Sequence, residues 1–305
     1  MQEAEIDKGI NVCCVISDSL RWDVFVNSKP VNILKLGKVQ KAHSIGNSTG
    51  TAMHGYLMNY PPIGIGKGLF VHGNPEHVPV VEGDAVVAKY KRWTELRKWM
   101  PRYFREKGYF TIWMSANPVP MRVDRELGGA YRKHFNHWGA EEYLDLPVAT
   151  PQIIRDLELQ VNMNLDKPIF SVTLLLDTHS PYHDGDGTTH LIDPSQPNIN
   201  YEHQLRAMKY VDNVFPNFIN IFSKTKRPTE FIFMSDHGEN LEGRGWGHNS
   251  FRSALTFGEE LFAIPFVRGR ISDWSRSKVH MVKDTPHNDS GSVLNGEDPC
   301  MDEAF

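Results

Sequence analysis

Three cysteines in 305 residues are too few, and too unevenly placed, for a disulfide framework. Cys13 and Cys14 are adjacent in an apolar run, where a strand sends neighbouring side chains to opposite faces, and Cys300 stands far away in sequence. They read as reduced thiols, which predicts a cytoplasmic protein. Long apolar runs are also missing. Val172 to Leu176, with one Thr inside, is typical of the longest stretches, whereas a membrane-spanning helix needs about 20 apolar residues, so no span is expected. The opening MQEAEIDKG is acidic and polar where a secretory signal is basic and then apolar, which again predicts the cytoplasm. Nor is there a surplus of positive charge. Lys plus Arg total 33 against 37 Asp plus Glu, a formal net charge of −4, so nothing general attracts nucleic acid and any basic site must be local. No internal repeat is present, and no signal of oligomeric state.

What is there suffices for a large core: 40% of residues are apolar and 23% charged, as in ordinary soluble globular chains. Ile10 to Ser17 (INVCCVIS) is a near-continuous apolar run of strand length, the pattern of a parallel strand covered on both faces. It ends at Asp18. Ile169 to Leu176 likewise runs into Asp177, Thr178 and His179, and Glu230 to Ser235 runs into Asp236 and His237. Between them lie helical patterns. Trp93 to Lys107 closes at Gly108 before a strand-like Tyr109 to Ser115. Tyr201 to Ser223 carries apolar residues at spacings of three or four but contains Pro216, which predicts two helical pieces. Alternating strands and helices predict an α/β three-layer sandwich, a mostly parallel sheet with helices on both faces, with its site beyond the carboxyl ends of the strands. Asn59 to Gly83 and Ser180 to Asn200 are predicted long loops. A catalytic domain is expected over 1–282, and the polar, patternless 283–305 is expected to be a poorly ordered tail.

Asp236 and His237 offer an oxygen and a nitrogen ligand side by side, and Asp18 adds a carboxylate from another strand end. That mixed set suits Zn²⁺ or Mn²⁺ better than Ca²⁺, which prefers oxygen alone. A D-H-G tripeptide by itself is weak, because a strand-end Asp is commonly a helix cap and a lone His is commonly structural.

Four elements, in order, resemble the alkaline phosphatase superfamily, and in particular its sulfatase-like branch, over roughly residues 10 to 270. VISDSLRWD (Val15 to Asp23) is similar to the strand that ends in a metal-binding Asp, here Asp18. NSTGTAMHGYLMN (Asn47 to Asn59) resembles the nucleophile segment, in which the reacting residue heads a helix whose free N–H groups favour an anion. LLLDTHSPY (Leu174 to Tyr182) resembles the T-H-x-P-Y strand end, which places His179 against the transferred group or a second metal. FMSDHGENLEGRGWGHNSF (Phe233 to Phe251) resembles the D-H-G…G-H-G pattern, with Asp236 and His237 as paired metal ligands, His248 as the second His, and Asn249 in place of the last Gly. FGEELFAIPFVRG (Phe257 to Gly269) is similar to the buried strand and turn that follow.

Sulfatases carry a Cys matured to formylglycine at the nucleophile position, in a C-x-P-x-R context. This window has no Cys, Pro or Arg. Aligning its Leu57-Met58-Asn59 end with the family's Leu-Thr-Gly places Thr49 there, with Ser48 and Thr51 as register alternatives. An unmodified Thr implies phosphoryl chemistry, as in the superfamily's phosphoethanolamine and phosphoglycerol transferases. The resemblance thus implies a metal-dependent hydrolase or phosphotransferase acting on a small phosphate or sulfate ester. One divalent ion would be held by Asp18, Asp236, His237 and Thr49, and in a two-metal version His179 and His248, joined by Asp177, would hold a second. His179 and His248 would serve the leaving oxygen, and Arg21 and Arg252, beside the motifs, would reach phosphate oxygens.

Overall fold

The computed structural model describes residues 9–44, 46, 49–58, 100–117, 132–139, 149–185, 188–193, 195–241 and 259–270. Its strands are β1 (Asn11–Ser17), β2 (Gln40–His43), β3 (Phe110–Ser115), β4 (His137–Trp138), β5 (Ile169–Leu175), β6 (Tyr182–His183), β7 (Thr189–His190), β8 (Thr229–Ser235) and β9 (Ala263–Arg270). Seven form one sheet in the order β2-β9-β8-β1-β5-β3-β4. From β8 to β4 all pairings are parallel, while β9 runs antiparallel to both β8 and β2. The helices are α1 (Trp22–Ser28), α2 (Thr49–Met58), α3 (Met100–Glu106), α4 (Thr150–Asn162) and α5 (Pro197–Ser223). The sandwich expected from the alternation is the one observed.

The apolar runs are continuous because the central strands are covered on both faces. In β1, Cys13 and Val15 enter a core layer with Val24, Phe25, Met208, Val211 and Phe215, while Val12, Cys14 and Ile16 enter the opposite layer with Met53 and Phe104. Each such side chain contributes about 1.5–3 kcal/mol when fully buried. Burial also pushes both thiols upward, Cys14 to about 12, so both stay protonated and inert.

The expected break at Pro216 does not occur: α5 is one helix of 27 residues. A proline at 216 leaves the carbonyl of Asp212 without its helical donor. Asn32 Nδ2 supplies a donor at 3.0 Å instead, and the Asp212 carboxylate in turn accepts the N–H groups of Val31, Asn32 and Ile33. Phe215, Phe218 and Phe222 pack on either side of the proline, against one another or against Phe231 and Phe233 of β8. Tertiary bonding thus offsets a local defect.

The segment expected as one loop over Ser180 to Asn200 contains the β6–β7 hairpin and the first turn of α5. Gly108, with φ +87°, ends α3 as expected. The predicted loop from Asn59, the helical pattern before Met100 and the tail over 283–305 lie outside the described residues.

Candidate active site

Strand register builds the site. Ser17 of β1 pairs with Leu175 of β5 and Ser235 of β8, so the residues that follow, Asp18 and Asp236, emerge side by side at the carboxyl edge. The edge is tied from beneath. Ser235 Oγ donates to Ser17 O at 2.8 Å and accepts from Leu20 N at 2.9 Å, and Thr178 Oγ1 donates to Asp18 O at 2.6 Å.

Asp18, Asp236 and His237 each offer a ligand atom within 4.8 Å of the others, and all three are fully buried. Asp236 Oδ1 accepts two backbone N–H groups, Ser19 N at 2.9 Å and His237 N at 2.8 Å, whereas the buried Oδ2 has no hydrogen-bond partner among the described residues. His237 Nε2 lies 3.5 Å from that Oδ2 and 3.7 Å from Asp18 Oδ1. Its Nδ1 sits 2.7 Å from Gly238 O and must donate to it, which leaves the Nε2 lone pair turned toward the carboxylates. Burial holds the His237 imidazole below its usual range and therefore neutral, and burial with the adjacent Asp18 charge raises Asp236 well above the carboxylate range. Two apposed carboxylates, an orphaned buried oxygen and a neutral imidazole fit a divalent cation of the Zn²⁺ or Mn²⁺ type.

Gly238 is dictated by a close approach. A Cβ there would lie 1.9 Å from Glu260 O, and its N–H donates to Leu261 O at 2.8 Å, so backbone meets backbone without room for a side chain. Gly238→Ala should destabilise the fold by about 1–3 kcal/mol, the usual cost of overpacking, seen as a lowered urea midpoint at unchanged m-value.

Thr49, the first residue of α2, is buried at 4% exposure, with Oγ1 at 3.2 and 3.3 Å from the two Asp18 oxygens and 3.3 Å from His237 Nε2. The first N–H groups of α2 lack helical partners and lie beside this hydroxyl. Ser48, the earlier register alternative, falls outside the described residues, and of Thr51 only the backbone is described.

His179 is partly exposed beside the cluster. Burial pulls its imidazole down, but the Asp18 and Glu239 carboxylates outweigh that and raise it above its usual range. The Arg21 guanidinium makes a bidentate bond with Asp23, both contacts at 2.8 Å, so it is engaged by its own neighbour. The Asp177 carboxylate accepts from Thr150 Oγ1, burial raises it above the usual carboxylate range, and it stands outside the Asp18, Asp236 and His237 group found among the described residues. His248 and Arg252 lie outside the described residues.

One residue at this edge was missed in the sequence. Asn117, just past β3 and 5% exposed, donates Nδ2 to Asp18 Oδ2 at 2.6 Å and lies 3.5 Å from Thr49 Oγ1. The signal was the one used elsewhere, an apolar strand ending in a polar group.

A family model described as Sulfatase matches residues 81–288, more than half of the chain. The chain belongs to the sulfatase family. No curated protein matches it in sequence. The match begins after Asp18 and Thr49, so those two are tied to the site by geometry.

Solved structures share the fold of this family member at low identity. The C-terminal periplasmic domain of EcEptC from Escherichia coli is 13% identical with a TM-score of 0.58, over 88% of this chain and 75% of that one. The C-terminal periplasmic domain of the phosphoethanolamine transferase EptC from Campylobacter jejuni is 11% identical with a TM-score of 0.57, over 87% and 80%. The integral membrane lipooligosaccharide phosphoethanolamine transferase A from Neisseria meningitidis is 13% identical with a TM-score of 0.60, over 88% of this chain and 49% of that one.

These likenesses overturn the cytoplasmic expectation, since two of the three structures are periplasmic domains. The thiol argument behind it fails on geometry. Cys13 and Cys14 are unpaired because they are locked in opposite core layers, which holds in any compartment. No helix among the described residues is long and apolar enough to cross a membrane.

Proposed function

We propose that this sulfatase-family chain is a metal-dependent phosphoryl-transfer enzyme, a hydrolase or transferase acting on a small phosphoester with Thr49 as nucleophile. The observation that carries the reading is the Thr49 hydroxyl, unmodified, at the start of a helix and within 3.3 Å of Asp18 and His237. Similarity in fold to phosphoethanolamine transferases supports it.

Asp18, Asp236, His237 and the Thr49 hydroxyl would hold the cation. When bound, a divalent ion supplies Lewis acidity, which acidifies a neighbouring hydroxyl and offsets charge on the transferred group. Thr49 Oγ1 gives up its proton to solvent and attacks phosphorus, the bond to the leaving oxygen breaks, and His179, with His248, delivers a proton to that oxygen. Water or an acceptor hydroxyl then displaces Thr49 and restores it. The amide of Asn117 and the free N–H groups of α2 face the transferred oxygens, and Arg21 and Arg252 serve as outer anion contacts once Arg21 exchanges Asp23 for substrate.

The family match favours a second reading, hydrolysis of sulfate esters without formylglycine. Matched 4-nitrophenyl phosphate, phosphonate and sulfate esters separate the two. Phosphorus esters should turn over faster in the presence of Zn²⁺ or Mn²⁺. Faster sulfate turnover would establish the second reading, and no turnover with no bound metal would leave a binding protein that kept the fold.

A further inference from the structure

The turn that bears His179 is attached to the metal-binding edge on two sides. Toward Asp18, Thr178 Oγ1 donates to Asp18 O at 2.6 Å, and the fully buried Gln204 of α5 donates Nε2 to both Thr178 O and Ser19 O at 2.9 Å. Toward Asp236 and His237, the attachment is Tyr182. Its hydroxyl donates to Glu239 Oε2 at 2.6 Å, with Tyr182 0% and Glu239 1% exposed. Tyr182 follows His179 by three residues and Glu239 follows His237 by two, so one hydrogen bond spans the two catalytic loops.

Mere packing would not select this pair. Removing a carboxylate from water costs several kcal/mol, and a Phe against an apolar side chain fills the same volume without that cost. A phenol bonded to a carboxylate is short and directional, whereas apolar contacts allow sliding.

We propose that Tyr182 is a positioning residue whose bond to Glu239 fixes the His179 turn against the Asp236–His237 loop, placing the imidazole at the leaving oxygen. The inference rests on the phosphoryl-transfer reading for its kinetic consequence, though not for its geometric one. Tyr182→Phe keeps the ring and removes only the hydroxyl.

The full chain loaded with Zn²⁺ is compared as wild type, Tyr182→Phe, His179→Ala and the double variant. Tyr182→Phe should lower kcat about tenfold or more with KM and metal content near wild type, and the loss should grow for esters with less acidic leaving groups, which need the proton most. Adding Tyr182→Phe to His179→Ala should cost nothing further. Independently of turnover, the imidazole NMR signals of His179, assigned by their loss in His179→Ala, should shift in Tyr182→Phe. Wild-type kcat, a change confined to KM, multiplicative losses in the double variant, or an unmoved His179 signal would each overturn the proposal. If Tyr182→Phe does not fold, Glu239→Gln keeps an oxygen acceptor for the phenol while removing a charge that raises His179, so a crystal structure of that variant should show the His179 turn in its wild-type place, and a displaced turn there would count against the strut. Should wild type turn over no ester, the proposed function falls, while the imidazole spectra still decide the strut.

Discussion

Thr49→Ala should abolish turnover, by at least about a thousandfold, because the proposed mechanism forms its covalent intermediate on the Thr49 hydroxyl, which lies within 3.3 Å of Asp18 and His237. The fold should survive. A helix-start hydroxyl is worth about 1 kcal/mol, and the Ala side chain fits wherever Thr did. Thr49→Ser should retain part of the activity, since the oxygen remains near Asp18 and His237. Intact-mass analysis during turnover of a slow phosphoester should show one added phosphoryl group on wild type and none on Thr49→Ala. An addition that persists in the Ala variant and maps to Ser48 or Thr51 would move the nucleophile by one or two residues. Normal turnover with no adduct on any hydroxyl would replace the covalent route with direct attack by water.

The second large effect is on metal binding. Asp236→Ala should reduce the metal content from stoichiometric to none, because it deletes the carboxylate whose buried Oδ2 has no hydrogen-bond partner among the described residues and leaves, of the described ligands, Asp18, His237 and a neutral hydroxyl. Stoichiometric metal in that variant, measured by elemental analysis after dialysis, would refute the ligand set. The same carboxylate gives the metal-free protein a distinctive pH response. Burial first, and Asp18 second, raise Asp236 above its unfolded value, and burial likewise raises Asp177, Asp212 and Glu239. A raised folded pKa means that the folded state holds more protons than the unfolded chain above about pH 4, so stability falls as pH rises through the raised values. The imidazoles that burial lowers, His134, His137 and His237, act in the opposite sense over the same range, so the effect is read against Asp236→Asn: between pH 5 and pH 8 chelated wild type should lose more melting temperature than that variant, which carries no proton there to lose. Zn²⁺ should reverse most of that loss, since the cation takes the place of the proton at Asp236, and binding should release protons. The same pH dependence in chelated wild type and Asp236→Asn would contradict this assignment of charge.

The layer architecture and most of the candidate edge are legible in the order of residues alone. Near-continuous apolar runs mark strands covered on both faces, and the first polar groups after them, Asp18, His179, Asp236 and His237, mark where the cover ends. That information is local, because burial of a whole strand is written into every one of its residues. The rest depends on which segments lie beside one another in the folded chain. The lateral order β8-β1-β5-β3 brings Asp18 beside Asp236 and Asn117 beside both Asp18 and Thr49, and lateral order comes from pairing between segments far apart in sequence. Pro216 looked like a break because its missing N–H is visible in the sequence, whereas the replacement donor, Asn32, is 180 residues from the Asp212 carbonyl it serves. The adjacent cysteines likewise invited a conclusion about compartment, when their separation into two core layers is what keeps them unpaired. Hydrogen bonds such as Tyr182 to Glu239 leave no periodic trace at all, since each needs only one donor and one acceptor brought together by the packing of everything around them.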